Sequence, residues 1–225
     1  KNNFKKAVIG LSGGIDSSLS AKLVADAIGK ENIHGIIMPV RSLSSESNIK
    51  DTIEFCKWLG ISYSLEYIND FIQNFENLGW QQNKAAKINT SPRIRAVILY
   101  HNANSNNALV IGTSNKTELL LGYFTKYGDG ASDIEVIGSL YKTDVIKLAE
   151  FLKIPESIIN KIPTAELYPG QTDESELGFS YEKIDKILKD IESKKEVDKE
   201  NPVVKMVLKR MKDSGHKREA AFVVE

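Results

Sequence analysis

Residues Gly10-Leu11-Ser12-Gly13-Gly14-Ile15-Asp16-Ser17-Ser18 decide the fold. They follow the apolar run Ala7-Val8-Ile9, which reads as a short buried strand. They precede Leu19, Leu23, Val24, Ala27 and Ile28, whose spacing lines one face of a helix. A strand, a Gly/Ser loop and a helix start together make a phosphate-holding device. Glycines let the backbone approach a ligand, and free N–H groups at the helix start favour negative charge. No Gly-Lys-Ser/Thr follows, so the loop is not of the Walker type, and the third glycine of a dinucleotide fingerprint is missing. Asp16 and Ser17 stand where the helix begins, where a carboxylate can hold Mg²⁺ against phosphates. The plainer alternative is a strand-to-helix turn with Asp16 or Ser17 as its cap.

Working outward, His34-Gly35-Ile36-Ile37-Met38 reads as a second buried strand closed by Pro39. A polar loop over residues 42–47 leads to a helix with Ile49, Ile53, Cys56 and Leu59 on one face, and residues 62–68 read as a third strand. That alternation predicts right-handed crossovers and a doubly wound, mostly parallel sheet with helices on both faces. Its ligands gather at the carboxyl ends of the strands. Residues 74–89 are polar and read as mobile in part, and Pro92 is expected to open a helix over residues 92–100. Ala108-Leu109-Val110-Ile111-Gly112 reads as a fourth buried strand. Residues 122–133 suit a substrate loop. Helices are expected over 142–152, 156–161, 184–191 and 203–211, and residues 164–176 form a candidate lid.

Composition limits the function classes. The 225 residues are 41% hydrophobic, enough for one globular domain with a sizeable core. Thirty basic and thirty acidic side chains cancel, so no polyanion partner is indicated. The basic residues between Lys205 and Arg218 lack interleaved aromatics, which argues against nucleic acid. Cys56 is the only cysteine and excludes an internal disulfide and a Cys-rich zinc site. It reads as a small core residue and fits a reducing, cytoplasmic setting. No apolar run approaches the roughly 20 residues that span a bilayer.

The Ser-Gly-Gly-x-Asp-Ser cluster resembles the loop of the ATP pyrophosphatases, enzymes of the adenine nucleotide alpha hydrolase-like fold that adenylate a substrate. Further blocks, in order, are similar to the ammonia-dependent NAD synthetases. They are Met38-Pro39 with Ser44-Ser45-x-Ser47, Thr113-Ser114-Asn115-Lys116-Thr117-Glu118-Leu119, and Gly122-Tyr123-Phe124-Thr125-Lys126-Tyr127-Gly128-Asp129. Leu140-Tyr141-Lys142-Thr143, Pro163-Thr164-Ala165-Glu166-Leu167, Gln171-Thr172-Asp173-Glu174-x-Glu176-Leu177-Gly178 and His216-Lys217 continue the series. The resemblance implies a single domain over residues 1–225 with a five-stranded sheet and a C-terminal helical segment from about residue 181. It also implies a homodimer, and amidation of deamido-NAD with ATP and free ammonia through an adenylated nicotinate.

Carried over by position, Gly10, Leu11, Ser12, Gly13, Gly14, Ile15, Asp16 and Ser17 would cradle the ATP phosphates. Thr113, Lys142 and Thr164 would also contact ATP, and Asp16 and Glu118 would share Mg²⁺. Arg93, Lys126, Asp133, His216 and Lys217 would contact deamido-NAD, while Asp129 would hold ammonium and take its proton. Plainer roles compete. Glu118 alone would be a solvated helix residue, Asp133 a turn cap, and His216-Lys217 part of a solvated charged face. Lys142 at a helix start is electrostatically misplaced, which favours a ligand role. The chain departs from the family pattern at Ile88, Pro92 and Val136, and an N-terminal helix of the family is missing or cut off. Another adenylating amidotransferase or thiolase of the same superfamily, or a nucleotide-binding homologue without catalysis, remains the alternative.

Overall fold

Alternation along the central strands sets up three layers. The computed structural model describes residues 4–41, 43–164, 170 and 172–224. In β1 (Lys6–Gly10), Ala7 and Ile9 join one buried cluster while Val8 joins another on the opposite face of the sheet. The first cluster packs α1 (Ile15–Ile28) and α2 (Glu46–Leu59) onto β2 (Ile33–Ile37), with a short 3₁₀ turn, Lys30–Asn32, between α1 and β2. β3 (Ser62–Leu65), α3 (Asn69–Glu76), α4 (Lys84–Asn106) and β4 (Ala108–Gly112) follow, and α4 covers the opposite face. After α5 (Lys116–Leu121) comes the two-residue β5 (Ile134–Glu135). The strand order is β3-β2-β1-β4-β5, and every neighbouring pair is parallel. The expected doubly wound, five-stranded α/β sheet is therefore present.

Helices complete the chain: α6 (Lys142–Phe151), α7 (Glu156–Ile159), α8 (Asp173–Leu177), α9 (Tyr181–Glu192), α10 (Pro202–Asp213) and α11 (Gly215–Arg218). α6 and α7 join the first cluster through Val145, Ala149 and Ile158. Leu121, Ile184, Leu188 and Val207 form a third cluster that seats α9 and α10 beside α5. Ser42, residues 165–169 and Gln171 lie outside the described residues, and with them six positions of the candidate lid.

One helix starts earlier than expected. α4 begins at Lys84 and runs through Pro92 instead of opening there. Lys84-Ala85-Ala86-Lys87 are good helix formers, and the Asn83 side chain caps them by accepting from Ala86 N–H at 2.8 Å. A proline in a helix interior forfeits a backbone hydrogen bond. Here burial of the ring offsets that loss: a Cβ on Gly128 would lie 2.9 Å from Pro92 Cβ, so the two are in direct contact. Of the expected mobile stretch over residues 74–89, only 77–83 is outside helices.

Candidate active site

Strand order reverses between β1 and β4, and ligands in open parallel sheets bind in the crevice beyond the carboxyl ends at such a point. Residues 10–17 leave β1 there and residues 113–118 leave β4 beside them. The first loop folds on itself. Ser12 Oγ accepts from Gly14 N–H at 3.2 Å and lies 3.1 Å from Ser17 Oγ, which donates to the Gly14 carbonyl at 3.1 Å. Gly14 is the N-cap of α1 and brings no capping side chain, so first-turn N–H groups are left for an anion. Leu11 and Ile15 of the loop point into the core. Gly10 ends β1 against Met38, and Thr113, half-buried, opens the neighbouring loop.

Charge concentrates where the two loops meet. Lys142, the first residue of α6, is 2% exposed and its Nζ pairs with Asp16 Oδ2. Asn115 Nδ2 donates to Asp16 Oδ1 at 2.9 Å. The same Asn115 caps α5, accepting from Glu118 N–H at 3.0 Å while Glu118 Oε2 accepts from Asn115 N–H at 3.1 Å. Glu118 is thus drawn beside Asp16 by a capping box and is not a solvated residue. Protein packed around its carboxyl, and then the Asp16 charge, push Glu118 well above the usual carboxylate range, against the opposing Lys142 charge. For Lys142, burial alone would lower the ammonium, but Asp16 and Glu118 outweigh it and hold it above its ordinary value. Asp173 also approaches. It is buried, accepts from Tyr181 OH at 2.9 Å, and burial raises its carboxyl. Asp185 closes the scaffold from behind, accepting from Thr117 Oγ1 and, at 2.8 Å, from Thr143 N–H.

The second group lies along residues 122–130 and the C-terminal helices. Asp129 Oδ1 accepts from Thr125 N–H at 2.9 Å. The surrounding protein raises its carboxyl, while that hydrogen bond and the Lys217 charge pull the other way. The residue keeps an open solvent face, which tempers the rise. Lys217 Nζ donates to the carbonyls of Gly122 and Phe124 at 2.8 and 2.7 Å. Lys126 Nζ donates to the carbonyls of His216 and, at 3.0 Å, Glu219. Arg93 reaches the Lys126 carbonyl at 3.4 Å. The His216 ring is exposed.

Sequence reading placed the members of these two groups and missed what connects them. Asn115 carried a legible signal, an Asn-x-x-Glu capping pattern before a helix. Asp173 stood in the Gln171-Thr172-Asp173-Glu174 block without a role assigned to it, and Tyr181 and Asp185 carried no signal of their own. Glu135 was also missed: it accepts from Ser114 N–H at 3.0 Å and Ser132 Oγ at 2.9 Å, tying the β4 loop to the segment behind Asp129. Asp133 joins neither group. Its Oδ2 accepts from Val110 N–H at 2.7 Å and its Oδ1 faces Tyr100 OH at 3.5 Å. Thr164 is exposed, at the edge of the described residues.

The sequence model of the NAD synthase family matches residues 1–221. An NH(3)-dependent NAD(+) synthetase of Archaeoglobus fulgidus is 47% identical over 212 residues, covering 94% of this chain and 85% of its relative. Among solved structures, an NMN synthetase from Francisella tularensis superposes with a TM-score of 0.88 at 34% identity, covering 99% of this chain and 90% of the other. An NH3-dependent NAD synthetase from Campylobacter jejuni gives 0.82 at 35% identity, with 99% and 91% covered. With the family model matched nearly end to end and relatives this similar along almost the whole chain, the protein belongs to the NAD synthase family.

Proposed function

We infer that the chain joins ammonia to the nicotinate carboxylate of deamido-NAD at the expense of ATP, releasing NAD, AMP and pyrophosphate. The observation that carries this is the pairing of buried Lys142 with half-buried Asp16, Glu118 beside them, set on a phosphate loop at the β1/β4 crevice. A carboxylate is not amidated directly in water, because its oxygen leaves poorly. Attack of that oxygen on the ATP α-phosphorus breaks the bond to the β-phosphate bridging oxygen and expels pyrophosphate. Negative charge grows on the departing group, where fixed donors lower the barrier most. First-turn N–H groups of α1, the Ser12 and Ser17 hydroxyls and the Lys142 ammonium supply them. Ammonia then attacks the activated carbonyl carbon, the bond to AMP breaks, and Asp129 takes a proton from nitrogen.

Asp16 and Glu118 fit Mg²⁺. Two neighbouring carboxylates face one lysine, and burial and then the Asp16 charge raise the cost of ionising Glu118. Mg²⁺ takes one or two carboxylates and completes its shell with phosphates and water, a demand that Asp16 and Glu118 meet in number and kind. When bound, it supplies charge neutralisation on the leaving pyrophosphate.

Pyrophosphate release from ATP, with and without deamido-NAD, followed by NAD formation on adding ammonium, tests the assignment. Release that ignores deamido-NAD would overturn it. The similarity to an NMN synthetase favours one second reading, amidation of nicotinate mononucleotide. A higher kcat/KM for the mononucleotide in the same assay would establish it.

A homodimer is proposed on the family resemblance. Phe71, Phe75, Trp80 and Val97, on or between α3 and α4, are large apolar side chains left exposed, and a second copy would cover them. Light scattering at one chain's mass of 25.1 kDa would refute it. No described helix is long and apolar enough to cross a membrane. A cytoplasmic setting is proposed from the lone buried thiol.

A further inference from the structure

Outside the site described above, the side chains nearest the phosphate loop form a short relay. Lys161 follows α7 by two residues and precedes Thr164 by three. Its Nζ donates to Asn48 Oδ1 at 2.7 Å and lies 3.0 Å from Asp51 Oδ2, both on α2. The other end of the same amide, Asn48 Nδ2, donates to the Ser12 carbonyl at 3.0 Å. Contact between α2 and the loop is close: a Cβ on Gly13, whose φ is +77°, would lie 2.4 Å from both Asn48 Oδ1 and Thr52 Oγ1. A cation on the amide oxygen polarises the amide and strengthens what its N–H donates. It also fixes which way the amide faces, since only one orientation satisfies Lys161 and Ser12 together.

The trans geometry of a peptide completes the logic. A carbonyl and the N–H that follows it lie in one plane and point in opposite directions. Holding the Ser12 carbonyl against α2 therefore turns the Gly13 N–H away from α2. That N–H makes no hydrogen bond among the described residues, and it lies between Ser12 and the start of α1, where phosphate donors are needed.

We propose that Lys161 and Asn48 are positioning residues: together they hold the Ser12–Gly13 peptide so that its N–H faces the ATP polyphosphate. A peptide free to turn over would present the Ser12 carbonyl to the phosphates and repel them. The same relay registers the phosphate loop against the segment that carries Thr164. The inference rests on ATP being a substrate, as proposed above, and not on which carboxylate is amidated.

The test is a double-mutant cycle on ligand affinity, measured by calorimetry with ATP and with AMP, alongside melting temperatures. Lys161→Met and Asn48→Ala should each weaken ATP about tenfold, and the double variant should lose little more, because one peptide is being held. AMP, which lacks the β- and γ-phosphates, should bind unchanged, and Lys161→Arg should recover most of the ATP affinity. A lowered melting temperature with ATP affinity intact would overturn the proposal. So would losses that multiply in the double variant, or equal losses for ATP and AMP. A wild-type chain that binds ATP but forms no NAD sinks the function, while the cycle still decides on the relay. One that binds no ATP overturns both.

Discussion

The cations in the two halves of the site are held by opposite kinds of partner. On the phosphate side, Lys142 faces the Asp16 carboxylate and is sealed from solvent. On the other side, Lys126, Lys217 and Arg93 all end on main-chain carbonyls. A lysine paired with carboxylates in a dry setting is a fixed point charge, poised for charge that develops during reaction. A lysine ending on carbonyls acts first on the course of the chain: Lys217 staples α11 to the segment that leads from α5 to Asp129. Any contact of Lys126 or Lys217 with a dinucleotide is shared with those carbonyls or taken from them. One half is electrostatic machinery, and the other is scaffold that carries charge.

Removing the buried cation should have the largest effect. Lys142→Met is expected to lower kcat by about 10²–10³-fold, the scale for losing one fixed donor at a developing charge. It should also destabilise the fold by about 3–5 kcal/mol, because buried carboxylates are left uncompensated. If Lys217→Met lowered kcat as much, the contrast between the halves would fail. Lys217→Met should instead act mainly on stability, stripping the donor from two carbonyls at about 1–3 kcal/mol, read as a fall in melting temperature.

Glu118→Gln sharpens the same contrast through its sign. Burial, and then Asp16, raise this carboxyl in the folded chain above its unfolded value, so the folded state binds the proton more tightly. Its contribution is fully present below the unfolded pKa and is lost as pH rises through the folded one. The amide removes that loss and keeps the capping geometry. Melting temperature at neutral pH should therefore rise by about 2–4 °C, the worth of 1 kcal/mol in a domain of this size. The gain should vanish toward acid, while synthesis of NAD falls. A lower melting temperature at neutral pH would mean that Glu118 is paired more favourably than its surroundings indicate. The smallest effect lies outside both halves. Burial pushes the Cys56 thiol up to about 11, so a chromogenic disulfide reagent at pH 8 should label it only after denaturation.

The sheet was legible because its four longer strands are apolar or alternating runs bounded by polar loops, and the phosphate loop because glycines and hydroxyls crowd between a strand and a helix. β5 was not legible from its own residues: two residues carry no period, and Ile134 and Glu135 become a strand only by pairing with β4. Pro92 misled for a related reason. Its effect on a helix depends on what the ring touches, and Gly128 is 36 residues away in sequence. The site divides likewise. Asp16, Glu118 and Lys142 stood in motifs that resemble a known family, whereas Lys161, Asn48 and Glu135 act through partners that only the folded chain brings near.

The strand order also bears on how the protein comes to life. β1 and β4 are sheet neighbours, with Lys6 opposite Ala108, yet roughly a hundred residues of chain separate them. Pairings across so long a loop form late, since closure entropy is met before the contacts repay it. The phosphate loop hangs from one side of that seam and Asn115 and Glu118 from the other. A refolding chain can therefore regain its helices and its local β1–β2–β3 crossovers while still lacking any place to grip ATP. Catalytic competence should return with the slowest phase of refolding, behind the recovery of secondary structure.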